Sequence, residues 1–214
     1  MFLHMKKLPV TSAIVLGMLL FSAVAGRAAP DPGAFVESLT YSAFETLGNK
    51  EIGEKERFTR FRALLHNRLD MPRIGRFVLG ANWRRADPAQ QAEYQKLFSD
   101  YVVSALAGRL KDYADSKITI KGSIATGKGE HIVSTVVQNP KNPEPIKVDW
   151  RLRENANDLQ VLDMSVEGIS MALTERSEFA AVLQKNGGDI NALLTRLRSA
   201  AGALNEGKQV SVSD

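Results

Sequence analysis

The spacing of apolar residues changes near residue 117, and this change constrains the fold more than any other feature. Before it, apolar side chains recur every three or four residues, which is the period of an amphipathic helix. After it they alternate with polar residues, most cleanly over 145–154, where Val148 and Trp150 share the apolar face. The helical period returns after Gly168. This order predicts an α+β fold in which helices cover one face of a meandering antiparallel sheet of about four strands.

Local signals give the bounds of the predicted elements. Asp31 before Pro32 is typical of a helix start, and Asp87 with Gln90 forms a capping-box pattern. The turn at 127–129 is rich in glycine and predicts a hairpin. Helices are predicted over 32–47, 54–69, 72–79, 88–113, 174–184 and 190–204, and strands over 117–126, 131–138, 145–154 and 159–166.

The N-terminal segment has the three parts of an export signal. Lys6 and Lys7 precede an uncharged apolar run from Leu8 to Ala25, and small residues follow. The run is short for a membrane span, which needs about 20 residues. We therefore expect a cleavable signal peptide over residues 1–28 and a periplasmic mature protein, with an uncleaved anchor as the alternative. Residues 29–206 are expected to form one α+β domain and 207–214 a flexible tail.

Removal of the signal changes the electrostatics of the chain. The full sequence has 28 basic and 24 acidic residues, and loss of Lys6, Lys7 and Arg27 leaves 25 basic residues against 24 acidic ones. A nearly neutral chain lacks the strongly basic character of nucleic-acid-binding domains. The sequence has no cysteine, which excludes disulfides and thiolate metal sites.

The sequence offers few residues for catalysis or metal binding. The expected mature chain has two histidines, His66 and His131, and neither has a second ligand at helical spacing. No metal site or cofactor is therefore expected. Asp149, Asp163 and Glu167 are candidate general bases, because a strand carboxylate that faces a cavity can have a raised pKa. Structural hydrogen bonding or cross-strand pairing is the alternative for all three.

Arginines are concentrated between residues 57 and 85. This stretch has eight arginines and one acid, Asp70. Guanidinium groups suit phosphate and carboxylate partners. Arg73, Arg76, Arg84 and Arg85 are therefore candidates for docking a headgroup or an acidic partner protein. A solvated helix face that pairs with acids elsewhere in the fold is the alternative.

The apolar residues of the long helix and the sheet could form a filled core or line a pocket. Spacing alone does not distinguish the two. The candidates for a pocket lining are Trp83, Tyr94, Phe98, Tyr101, Val102, Val148, Trp150, Val166 and Met171.

Several strings resemble the MlaC family of periplasmic phospholipid carriers of the Mla system, also called the toluene-tolerance family. The similar segments are 77–80 followed by Trp83-Arg84, the opening 90–98 of the long helix, 148–152, and 161–171. The last segment, VLDMSVEGISM, is the most specific. The region from Met171 to Gly188 is similar to the hopanoid-associated branch of this family.

The resemblance implies an NTF2-like fold, in which a curved sheet and helices enclose an apolar lipid cavity. It also implies a non-enzymatic shuttle that carries phospholipid or a hopanoid between outer-membrane lipid complexes and inner-membrane complexes associated with an ABC transporter. Two other classes stay open from the residues alone. One is an enzyme on the same scaffold with Asp149 or Asp163 as base, and the other is an envelope adaptor without a ligand.

Overall fold

The computed structural model describes residues 31–155 and 158–205, and the expected signal peptide and tail lie outside this range. The α-helices are α1 Pro32–Gly48, α2 Glu54–Arg68, α3 Met71–Leu79, α4 Pro88–Leu110, α5 Met171–Lys185 and α6 Ile190–Asn205. The strands are β1 Lys117–Gly127, β2 Glu130–Asn139, β3 Asn142–Asn155, β4 Asp158–Val166 and β5 Ile169–Ser170. Short 3₁₀ turns cover Gly80–Arg84 and Lys111–Tyr113. Within the described ranges, no helix combines the length and apolar character that a membrane crossing needs.

The predicted helix starts are confirmed by their caps. The Asp31 side chain accepts from the Gly33 N–H at 2.9 Å, and Asp87 and Gln90 form the reciprocal capping box. Three predicted bounds were wrong by three residues, and one of them is the start of β3, which lies at Asn142 rather than at residue 145. Helix α4 ends at Leu110 and passes into a 3₁₀ turn, and α5 begins at Met171 rather than at residue 174. Helix α5 starts earlier because the Ser170 hydroxyl caps it, accepting from the backbone of its third residue.

The strands form one antiparallel sheet in the order β1-β2-β3-β4-β5, as the predicted meander requires. The two-residue strand β5 was not predicted. Val133, Val148 and Trp150 lie on the inner face, which the helices cover, and the outer face carries charged residues such as Lys147 and Arg151. The sheet therefore has one dry and one wet face.

A bulge in β4 explains why this strand is apolar on successive positions. Arg151 pairs with Asp163 and the next residue, Leu152, pairs with Val161, so Leu162 is an additional residue on β4. Both Val161 and Leu162 are buried. The bulge lets two adjacent apolar side chains reach the interior without a second covered face of the sheet.

The interior is divided into two apolar clusters. One lies between the sheet and helices α1 and α2, and it includes Phe61 and Leu152. The other lies among α3, α5, α6 and the first half of α4, and it includes Phe98 and Phe179. Helix α4 contributes to both, since Val103 and Leu106 belong to the sheet cluster. This helix therefore fixes the position of the sheet relative to the helical cluster.

Aromatic rings fill the helical cluster. Tyr94 and Phe98 stack at 5.7 Å, and the Phe179 ring packs edge-on against both. Tyr94 is fully buried and its hydroxyl donates to the Gly75 carbonyl at 2.9 Å. A Cβ on Gly75 would lie 3.1 Å from the Phe98 ring, so a glycine permits the close approach of α3 and α4.

Asp163 ties the end of the sheet to the start of α5. One carboxylate oxygen accepts from the backbone N–H groups of Met164 and Ala172 at 2.8 and 3.0 Å, and the other accepts from the Ser170 hydroxyl at 2.5 Å. Met164 follows Asp163 in β4, and Ser170 and Ala172 lie in the short β4–β5–α5 connection. The side chain is therefore a structural clamp, as one of its two sequence interpretations proposed.

We expect Asp163→Ala to destabilise the protein by about 2–4 kcal/mol, because it leaves three donors without their charged acceptor. Asp149→Ala is the matched control, since Asp149 lies on the outer face of β3, opposite Ser134 and Ser165. It should change the free energy of unfolding by less than about 0.5 kcal/mol. Urea unfolding followed by circular dichroism measures both values. Equal costs for the two variants would contradict the clamp.

Candidate functional site

A large cavity of about 1190 Å³ lies between the inner face of the sheet and the helices. Helices α1, α2 and α5, the end of α4, and strands β2 to β5 all contribute to its wall. Its apolar wall includes Leu39, Phe44, Leu65, Leu106, Val137, Ile146, Val148, Trp150, Met164, Val166, Ile169 and Met171. The sheet cluster is therefore incompletely filled on the side that faces α4 and α5.

Exposure distinguishes the floor of this cavity from its mouth. The lining residues from α1, α2 and the middle of the sheet are buried, and we define them as the floor. The exposed ones come from two places, the end of α4 with its 3₁₀ turn (108–112) and the β4–β5–α5 connection (166–174). Val166 and Ile169 are 38% and 67% exposed. We define these two segments as the mouth.

Ionisable side chains near the mouth have opposite signs on the two sides of the cavity. Arg109 and Lys111 come from the α4 side, together with Asp112. Glu167, Glu175 and Glu178 come from the β4–β5 turn and α5. A molecule that enters the apolar interior would therefore keep its polar end between a basic and an acidic wall.

Glu175 has the most unusual environment of these groups. The Tyr101 hydroxyl donates to its Oε1 at 3.2 Å, and Oε2 is buried with no hydrogen-bond partner among the described residues. Burial and then the nearby charge of Glu178 raise the pKa of Glu175 from 4.5 to about 7, against the opposing effects of Tyr101 and Arg109. Burial, together with Glu175, also raises the pKa of Tyr101, which therefore stays a hydrogen-bond donor at neutral pH.

A second space, the small pocket of about 60 Å³, adjoins the large cavity. Ile74, Val78, Phe98 and Val102 line it from α3 and α4. The bulged part of β4 and the start of α5 close the other side. It extends from Arg109 of the mouth to the place where the helical cluster meets the sheet.

The nine predicted lining residues separate into three groups. Val148, Trp150, Val166 and Met171 line the large cavity. Phe98, Tyr101 and Val102 line the small pocket, which Met171 also borders. Trp83 and Tyr94 line neither space, because they pack against each other edge-on at 6.4 Å on the far side of α4. The apolar stripe of α4 is broad enough to serve a core and a cavity at once.

The arginine-rich stretch is partly paired within the fold. Its salt bridges are Arg60–Glu56, Arg62–Asp100, Arg68–Asp158 and Arg73–Asp70. Arg76 lies over the Trp83 ring at 5.2 Å, and Arg84 and Arg85 are exposed. None of the four predicted docking arginines lines the large cavity. A headgroup inside that cavity would meet Arg109 and Lys111 instead, and partner docking at the four arginines stays a prediction.

The remaining candidates have ordinary environments. His66 hydrogen-bonds to the Ser99 hydroxyl at 2.9 Å, and His131 to Glu154 at 3.0 Å. Glu167 accepts from the backbone N–H of Lys147 at 2.6 Å. No group of three or more potential metal ligands occurs in the part of the chain that the structure describes.

Sequence reasoning did not identify Glu175 or Arg109 as site residues. Arg109 is one basic residue in the last turn of a long helix, where basic residues are common. Glu175 was placed in the first turn of its predicted helix, where an acid is equally common. The early start of α5 at Met171 moves Glu175 away from the helix end, to a position that faces Tyr101.

We expect Glu175→Gln to stabilise the ligand-free protein at alkaline pH and not at acid pH. The raised pKa means that the folded state binds a proton more tightly than the unfolded state does. The contribution of the Glu175 carboxyl group to stability is therefore complete below its ordinary pKa of 4.5, and it is lost as pH rises through about 7. The glutamine side chain stays neutral and should gain about 1–3 kcal/mol near pH 8.5.

Urea unfolding near pH 4 and pH 8.5 measures this difference. The other groups that act on Glu175 are Tyr101 and Arg109 on α4 and Glu178 on α5, and all are kept in the variant. Glu45→Gln on the exposed side of α1 is the control, with no pH-dependent gain expected. An equal effect of Glu175→Gln at both pH values would show that its carboxyl group is not desolvated.

Comparison with known proteins agrees with this architecture. The family model described as MlaC protein matches residues 37–199. The chain is 25% identical over 130 residues to the intermembrane phospholipid transport system binding protein MlaC of Haemophilus influenzae, an alignment that spans 59% of this chain and 60% of that relative. The chain thus aligns with less than two thirds of the relative's length.

The fold also matches a solved structure. A phospholipid-binding protein from Ralstonia solanacearum, determined in complex with a phospholipid, superposes with a TM-score of 0.70 at 24% sequence identity. The match covers 82% of this chain and 99% of the other, and it establishes a common fold. Because the family model spans most of the sequence, this chain belongs to the MlaC protein family.

Proposed function

We propose that the chain is a non-enzymatic carrier that encloses the acyl chains of a phospholipid in the large cavity. The observation that carries this proposal is a cavity of about 1190 Å³ with an apolar floor and a charged mouth. Pockets for small molecules are commonly about 300–1,000 Å³. The relative from Haemophilus influenzae is named for phospholipid transport, and the structural match from Ralstonia solanacearum binds a phospholipid, which supports the same ligand class here.

The volume of the cavity suits a diacyl lipid. A methylene group occupies about as much space as a water molecule, roughly 30 Å³, so two chains of about sixteen carbons need on the order of 1,000 Å³. Each buried methylene contributes about 0.8 kcal/mol, or on the order of 12 kcal/mol for one such chain. A free lipid would therefore cross an aqueous compartment very slowly, and enclosure of its chains removes this barrier.

The charged mouth gives the headgroup a position. A lipid phosphate would lie near Arg109 and Lys111, where guanidinium and ammonium groups offer charge-assisted hydrogen bonds. The acids of α5 on the opposite side would face the outer part of the headgroup. The headgroup then stays accessible while the chains are buried, which suits a protein that must release its ligand again.

We place this carrier in the periplasm, where the signal-like N-terminal segment would direct it. Its partners would be lipid complexes of the outer membrane and transporter-associated complexes of the inner membrane. The exposed arginines Arg76, Arg84 and Arg85 form a surface apart from the mouth that could dock an acidic partner while the mouth stays free.

The two aspartates that the sequence offered as general bases do not support an enzyme. Asp163 borders the small pocket, but both of its oxygens already accept hydrogen bonds from the β4–β5–α5 connection. Asp149 lies on the outer face of the sheet, away from both spaces. Neither carboxylate is placed to accept a proton from a molecule in the large cavity.

We expect Val148→Glu to reduce lipid retention by roughly tenfold or more, because a carboxylate on the cavity floor would have to be desolvated by an acyl chain. Val148 is 9% exposed and lines the cavity. Val136→Glu is the matched control, since Val136 lies on the outer face of the neighbouring strand, opposite Lys147. Folding of both variants is checked by circular dichroism.

Lipid retention is measured by native mass spectrometry and by solvent extraction after incubation with phospholipid vesicles. Stoichiometric phospholipid on the unmodified protein and on Val136→Glu, with loss on Val148→Glu, supports the proposal. A polycyclic triterpenoid in its place would assign the ligand to the hopanoid branch. A folded protein that stays empty would exclude a lipid carrier.

A further inference from the structure

The large cavity and the small pocket share part of their walls. Seven residues line both spaces, and they include Ala105 and Leu106 of α4, Met164 of β4 and Met171 of α5. The other three are Leu69, Arg109 and Glu175. A movement of these side chains would therefore join the two.

We propose that the small pocket is an extension of the large cavity that takes the terminal carbons of one acyl chain and thereby sets the longest chain that the protein holds. This inference rests on the proposed carrier function, because it requires a lipid in the large cavity.

Two methionines are suited to open the boundary. Met164 and Met171 are half-buried and approach from β4 and from the first residue of α5. Methionine is unbranched and adopts several rotamers at low cost. Ala105, on the facing helix, is small and leaves the space between the two regions to these flexible side chains. A chain end could displace the thioethers without moving the backbone.

The small pocket favours hydrocarbon over water. Its wall away from the boundary is mainly aliphatic and aromatic, with Ile74, Val78, Phe98 and Val102. Water finds no hydrogen-bond partners along this part of the wall, whereas Arg109 and Glu175 border the pocket on the side of the mouth. The carboxylate of Asp163 at its edge is already satisfied by its own connection. Glu175, whose pKa is about 7, is partly neutral at physiological pH and so tolerates an adjacent alkyl chain.

The pocket lies on the path inward from the mouth. Arg109 borders both the mouth and the small pocket, and Tyr101, at the inner end of the small pocket, precedes it by eight residues, or about 12 Å along the helix axis. A pocket of about 60 Å³ holds about two methylene groups at roughly 30 Å³ each. The pocket therefore suits the end of a chain that has entered along α4.

The test changes the size of the small pocket in both directions. Val102→Phe fills it and Ile74→Ala enlarges it, and both residues line the small pocket and not the large cavity. Ile190→Ala is the matched control, because Ile190 is buried in α6 and lines neither space. Each protein is incubated with an equimolar mixture of symmetric phosphatidylcholines, from dilauroyl to diarachidoyl, and the bound lipids are identified by mass spectrometry.

We expect the preferred chain to become shorter by about two carbons in Val102→Phe and longer by about two in Ile74→Ala, with no shift in Ile190→Ala. A general loss of stability would lower the total bound lipid and would not move the two distributions in opposite directions. An unchanged distribution in Ile74→Ala overturns this inference while the carrier function stands. An unmodified protein that binds none of the lipids overturns both.

Discussion

The rest of the structure depends on how helix α4 divides its apolar stripe between the helical cluster and the sheet. Its first half is locked into the helical cluster by Tyr94 and Phe98, which pack against Phe179 of α5. Its second half faces the sheet without filling the space in front of it. Because the aromatic cluster fixes the helix independently of the sheet, the sheet side need not collapse to gain stability. The cavity is therefore a consequence of where the well-packed part of the protein lies.

The positions of Asp163 and Glu175 follow from the same division of the apolar stripe of α4. The connection from β4 to α5 must cross from the sheet to the helical cluster, and Asp163 holds it by accepting three hydrogen bonds. The early start of α5 that results brings Glu175 against Tyr101. Desolvation of this carboxyl group disfavours its charge, which is consistent with a wall that must accommodate hydrocarbon. A clamp in the fold thus determines the electrostatics of the candidate site.

Much of the fold could be predicted from the sequence because each signal is local. Periodicity located the helices and the four long strands, and the cap at Asp87 fixed the start of α4. The cavity could not be predicted in the same way, since Tyr94 and Val102 belong to one stripe and only their partners differ. The bulge at Leu162 and the short strand β5 depend on pairing between distant segments. The environment of Glu175 could not be predicted either, because its position follows from the connection that β5 and Asp163 organise.

The proposed carrier needs a rigid enclosure and a reversible interior, and different side chains meet these two requirements. Val133, Leu152 and Phe61 are fully buried and hold the floor in place. The boundary between the large cavity and the small pocket instead includes two flexible methionines and a small alanine. Rearrangement of these side chains does not require the backbone of the wall to move, so the space available to a ligand can change without unfolding the wall. Adaptation to different acyl chains would then cost little of the stability that keeps the cavity open.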